Sequence, residues 1–150
     1  MRKRSLAREC ALQLLYQHEL NPKPAGELFS GFWEQNPDMG DEVRVFAEML
    51  VRGTLEKLPE INEIVAKYAK NWEISRMAVV DRNILRFATY ELVFCEDIPP
   101  NVTINEAVNI AKKFSQEDSG KFVNGVLDQI SHSEKIKTSP PNSPPSQQPL

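Results

Sequence analysis

Lys121 and Phe122 stand side by side in the stretch EDSGKFVNGVLDQI, residues 117–130. A flat ring beside an ammonium group is a combination that suits single-stranded RNA, with a base stacking on the ring and a phosphate meeting the cation. In the same stretch Val123, Val126, Leu127 and Ile130 recur at helical spacing, which predicts an amphipathic helix with those four turned to a core. Phe122 falls on the margin of that apolar face, so it is either a stacking platform or an anchor at the edge of the core. Gly125 interrupts the helix, where glycine costs about 1 kcal/mol relative to alanine. Either another helix packs closely there, or Gly120 and Gly125 keep the surface around Phe122 low enough for a ligand.

Other residues that could do chemistry are few. The two histidines, His18 and His132, have no metal-ligand spacing, and no glycine-rich phosphate loop or nucleophile elbow occurs. Cys10 and Cys95 both fall in apolar helical patterns and read as buried thiols of a reducing compartment. Paired acids such as Glu117 and Asp118 are common at helix starts, where negative charge offsets the helix dipole. The expectation is a protein without catalytic residues, metal or cofactor, whose work is done by a surface.

Charge locates one such surface. The chain of 150 residues carries a net charge of −3, yet Arg2, Lys3, Arg4 and Arg8 all precede its first acid, Glu9. A basic start on an acidic chain points to a confined anionic contact. Glu9, Gln13 and Gln17 break the run that follows, so it does not read as a signal peptide, and no stretch reaches the roughly 18 apolar residues of a membrane span. A cytoplasmic protein is expected.

The elements that must carry these residues are helical. A helix over residues 5–20 has Ala7, Cys10, Ala11, Leu14 and Leu15 on one face; Pro22 and Pro24 end it. A short and a longer helix follow, and Pro59 opens another with Ile61, Ile64, Val65 and Tyr68 on one face. Residues 76–95 have an apolar arc wide enough for burial on most sides, which predicts the central helix. Arg82 and Arg86 lie on its polar stripe, Asp81 at the edge of the arc, and Glu91 inside it. An unpaired buried carboxylate is too costly, so Glu91 is expected to accept hydrogen bonds from an arginine or a helix N-terminus. The sequence TINE, residues 103–106, fits a capping box that starts the next helix. With no strand alternation, the class is all-α with about seven helices. Residues 138–150 hold five prolines in thirteen positions and no charge, which predicts a disordered tail after a domain of residues 1–137.

Three stretches carry a family resemblance: RSLARECALQLLYQ at 4–17, VVDRNILRFATYEL at 79–92, and VTINEAVNIAKKFSQEDSGKFVNGVLD at 102–128. Together they closely resemble the bacterial NusB family over residues 1 to about 132. The resemblance implies two packed helical subdomains and a role in transcription antitermination, chiefly on ribosomal RNA operons. It also implies binding to boxA RNA together with NusE, a small-subunit ribosomal protein, within an antitermination complex on RNA polymerase. By the resemblance Arg2, Lys3, Arg4 and Arg8 match the family's arginine-rich RNA-binding start, although Ser5 and Leu6 interrupt the run. Lys121, Phe122 and Arg86 fall on the RNA side, with Asp118 a loop acid beside it. Asp81 matches an acidic position facing NusE, with Glu73 and Arg82 as neighbours. Two further readings differ in class: an RNA-binding domain of the kind attached to ribosomal RNA cytosine methyltransferases, and a helical adaptor whose basic arm meets a membrane or an acidic protein.

Overall fold

The computed structural model describes residues 2–70 and 72–134. The expected tail at 138–150, and the last residues of the expected domain, lie outside the described residues. Among those described there are seven α-helices, one 3-10 turn and no strand. None of these helices is long and apolar enough to cross a membrane.

Three helices make the N-terminal part: α1 (Lys3–Leu20), α2 (Ala25–Gln35) and α3 (Asp41–Glu56). The stripe Ala7, Cys10, Ala11, Leu14 and Leu15 is buried, as its spacing requires. Leu28, Phe29, Phe32 and Trp33 cover it from α2, and Val43, Phe46, Ala47, Leu50 and Val51 from α3. Gly40, at φ 83°, occupies the left-handed region that lets the chain turn into α3, whose first turn then carries Asp41 and Glu42.

Four helices make the C-terminal part: α4 (Leu58–Tyr68), α5 (Val79–Phe94), α6 (Pro100–Phe114) and α7 (Glu117–Ser133), with the 3-10 turn Ile74–Arg76 between α4 and α5. α5 is the central helix, packed against α1, α3, α4, α6 and α7. It buries Ile84, Leu85, Phe87, Ala88 and Leu92, and also Asn83, Thr89 and Glu91. From α7, Val123, Val126, Leu127 and Ile130 enter the same core, as their spacing predicts.

One boundary differs from its expectation. The helix expected to start at the TINE capping box starts earlier, with Pro99 at its cap and Pro100 as the first helical residue, a position where the missing N–H of proline is no loss. Thr103 is therefore inside the helix and buried, and its hydroxyl donates to Glu91 Oε1 at 2.8 Å instead of capping a backbone N–H. Glu106, the other half of the expected box, turns to α1.

Candidate functional site

The basic start of the chain divides into an exposed arm and a buried anchor. Arg2, Lys3 and Arg4 are exposed at the first turn of α1. Lys3 meets Glu42 of α3 at 3.2 Å, and Arg4 lies 4.0 Å from Asp97 with its guanidinium carbon 4.5 Å from the centre of the Phe46 ring. These are surface contacts that a phosphate in solvent can displace. Beside them an open groove runs over Ile98, Pro99 and Val102.

Arg8 is a correction to the sequence reading. It does not extend the arm, because its residue surface is only 2% exposed. Its Nε and Nη2 donate to the two oxygens of Glu91 at 2.7 Å and 2.9 Å, and Nη1 donates to Glu106 at 3.4 Å. Ser5 donates to the same Glu106 oxygen at 2.5 Å. Burial alone would lower the Arg8 pKa, but the hydrogen bonds and charges of Glu91 and Glu106 outweigh it and the net direction is up. The carboxylate expected to be buried and partnered by an arginine is so partnered, and its partner is a residue whose sequence position suggests an RNA contact.

Arg86 is tied into a polar network and does not line the cavity that Phe122 lines. Its Nε donates to Asn62 of α4 at 3.1 Å, and its Nη1 to Glu19 at the end of α1 at 3.0 Å. Arg82, one turn earlier, donates to the other oxygen of Glu19 and to the backbone oxygen of Met77. Asn83 donates to Glu19 as well, at 3.1 Å. Burial lowers the pKa of both arginines, and for Arg82 the charge of Arg86 adds to it. Glu19 thus ties α1 to α5 on a face lined by Leu15, Leu55 and Ile74, away from α7. Nothing in its local sequence marks Glu19; its role depends on two arginines more than sixty residues later.

Three of the remaining predicted residues meet at a second cavity, of about 430 Å³, between the start of α5 and the first turns of α7. Asp81, Asp118 and Phe122 all line it, so the acid expected to face a protein partner and the ring expected to face RNA share one recess. Ser119 donates to Asp81 Oδ2 at 3.0 Å, while Asp81 Oδ1 is buried without a hydrogen-bond partner. Phe122 is half-buried, packed on the edge of the core and also open to the cavity, so both roles weighed for it have a physical basis. Lys121 is exposed next to it on α7. Glu73 is exposed and 3.7 Å from Arg76.

Trp72 was missed by the sequence reading. It is 54% exposed in the segment between α4 and the 3-10 turn, and its ring centre lies 5.8 Å from that of Phe122. The signal was available, since a tryptophan in the polar setting KNWEIS has no apolar periodicity to bury it.

The glycines divide. A β-carbon at Gly120 would meet the Lys112 side chain of α6 at 3.1 Å, a tight approach that the lysine has to yield to. At Gly125 nothing lies within 4 Å, which removes close helix packing as its explanation.

The thiols offer no nucleophile, since both cysteines are buried and burial pushes the Cys10 thiol up to about 11, with the charge of Glu9 adding.

The NusB family model matches residues 5–132. The transcription antitermination protein NusB of Thermodesulfovibrio yellowstonii is 44% identical over 88% of this chain and 93% of its own length. That of Geobacter sulfurreducens is 49% identical over 85% and 92%. Among solved structures, NusB of T. maritima superposes with a TM-score of 0.75 at 38% identity, covering 89% of this chain and 93% of that one. A crystal structure of the antitermination factors NusB and NusE in complex with double-stranded RNA contains a chain that superposes with a TM-score of 0.81 at 34% identity, over 89% of this chain and 99% of its own.

Proposed function

The chain belongs to the NusB family, and from that premise we propose that it acts as a transcription antitermination factor. In this reading it binds boxA RNA of ribosomal RNA operons jointly with NusE, without catalysing a reaction, inside the cell's antitermination complex on RNA polymerase. The observation that carries the reading furthest is the separation of two surfaces with opposite electrostatics. The arm, Arg2, Lys3 and Arg4, is cationic and exposed, as a phosphate contact requires. The cavity beside Phe122 has two acids, Asp81 and Asp118, and no lysine or arginine in its lining. That composition suits a protein surface better than a nucleic-acid backbone.

Glu91, which holds Arg8 near the arm, and Asp81, which lines the cavity, lie on the same helix ten positions apart. At 1.5 Å per residue they are about 15 Å apart along α5. One rigid element therefore fixes the spacing between the surface for RNA and the surface for its protein partner. Lys121 is exposed on α7 next to Phe122, where it is available to RNA.

The test is a titration of labelled boxA RNA and of a permuted RNA of the same composition, each with and without NusE. The reading expects preference for boxA and tighter binding when NusE is present. Equal affinity for the two RNAs under both conditions would contradict it.

A further inference from the structure

We propose that the cavity walled by Trp72 and Phe122 is a docking site for the chain's own proline-rich segment, residues 138–145, which covers it until a partner displaces the segment. The docking stands on the geometry around Trp72; only its consequence for a partner rests on the reading that NusE binds this face.

The path of the chain brings the segment there. Glu134, which caps the end of α7, takes the Tyr68 hydroxyl at 2.6 Å and the Lys67 ammonium at 3.3 Å, so the chain leaves α7 beside the end of α4. Trp72 follows Tyr68 closely in sequence, and its backbone N–H donates to the Ala69 oxygen at 3.1 Å, which turns that stretch back on itself. The steps from Tyr68 to Trp72 span at most about 14 Å. Those from Glu134 to Pro140 reach up to about 20 Å, so the first prolines come within range of the Trp72 ring.

The chemistry of the wall fits that segment. The rings of Trp72 and Phe122 are 5.8 Å apart, inclined at 56°, and both line the cavity. Trp72 is 54% exposed, and its indole N–H donates to no acceptor among the described residues. A proline-rich strand recognises such a surface by laying its rings on the aromatics and offering a carbonyl to the indole. It favours an extended form before it docks, so it has little entropy left to lose. Charge agrees. The cavity has two acids, Asp81 and Asp118, and no lysine or arginine, whereas Lys135 and Lys137 lead into a segment with no charged side chain to be repelled. A contact too weak to form between separate molecules is populated here, because a short tether holds the segment at a millimolar effective concentration.

The test is acrylamide quenching of tryptophan fluorescence in the full chain, in a chain ending at Lys137, and in a full-length variant with Pro140→Ser, Pro141→Ser, Pro144→Ser and Pro145→Ser. Trp33 is buried and donates to Glu48, so the accessible signal comes from Trp72. With the segment docked about half the time, the quenching constant should rise about twofold on truncation and nearly as much in the serine variant. Trp72→Phe should abolish the difference between the full and the shortened chain. Quenching that is the same in all three chains overturns the inference, as does a difference that persists in Trp72→Phe. Protection that appears only at high protein concentration overturns it too, since the occupant would then be the tail of a second copy. NusE affinity is measured alongside, and the chain ending at Lys137 should bind about twofold more tightly, because no docked fraction has to open. Equal NusE affinity in two chains that differ in quenching overturns the role as a cover. If neither chain binds NusE, the proposed function fails, while the quenching still decides the docking.

Discussion

Arg8 and Glu91, 83 positions apart in the chain, form a two-bond ion pair at 2.7 Å and 2.9 Å in which neither side chain is more than 3% exposed. Thr103 and Ser5 complete it, Thr103 on Glu91 and Ser5 on the neighbouring Glu106. The pair joins α1, α5 and α6 directly behind the exposed arm, so the arm's position is set by a buried contact.

Removing Arg8 leaves Glu91 in the core without its ion-pair partner, with only the Thr103 hydroxyl donating to it. Arg8→Ala is expected to lower the unfolding free energy by about 3–5 kcal/mol. Urea denaturation measures it. A loss below about 1 kcal/mol would mean that Glu91 finds another partner.

The arm should behave in the opposite way. Lys3→Ala with Arg4→Ala removes two exposed ion pairs and the Arg4 contact with the Phe46 ring, so stability should fall by no more than about 1 kcal/mol. RNA affinity should fall, and the salt dependence of binding should flatten by about 0.7 for each phosphate that is no longer neutralised. Affinity measured at a series of salt concentrations reads both effects. An unchanged slope would remove these two residues from the RNA contact.

How far the sequence led depended on the range of the interactions. Helices, the central position of α5 and the burial of Glu91 were legible because periodicity is local and because a carboxylate on an apolar arc demands a partner. The identity of that partner was not, since α1 read alone shows Arg8 as one more cation of a basic start. The same limit hid Glu19, whose two arginines lie on α5, and it misread Thr103, whose capping-box spacing is real but whose hydroxyl is taken by Glu91 across the core. Asp81 and Phe122 were each recognised, yet only the fold brings them to one cavity with Trp72.

Two glycines predict opposite signs. A β-carbon at Gly53 on α3 would overlap the Tyr90 ring of α5, so Gly53→Ala must displace that ring and should destabilise the protein. Gly125 on α7 has open space, and Gly125→Ala should stabilise by up to about 1 kcal/mol through helix propensity. Thermal midpoints of the two variants decide it. If the Gly125 variant is more stable but binds RNA less well, the glycine is there for the ligand.

Acid should loosen the end of α7. The Tyr68 hydroxyl donates to Glu134 at 2.6 Å and Lys67 lies 3.3 Å away. The hydrogen bond from Tyr68 first, then that from Lys67 and its charge, outweigh partial burial and hold the Glu134 carboxyl below its usual value of 4.5. A lowered folded-state pKa contributes stability that is complete above the unfolded value and disappears as pH falls through the folded one. The stability advantage of wild type over Tyr68→Phe should therefore be constant at neutral pH and shrink below 4.5. An advantage that does not change with acidification would mean that the Tyr68 contact is not linked to the charge of Glu134.

The central claim is that this chain acts in antitermination through boxA RNA, and a transcription readthrough assay tests it most directly. The template carries a boxA sequence upstream of a terminator, and RNA polymerase, NusE and the remaining antitermination factors are supplied with and without the chain. The account predicts that the chain raises the fraction of transcripts passing the terminator, that permuting boxA abolishes the increase, and that Lys3→Ala with Arg4→Ala reduces it. Readthrough that is the same with and without the chain, or that does not depend on boxA, would contradict the account.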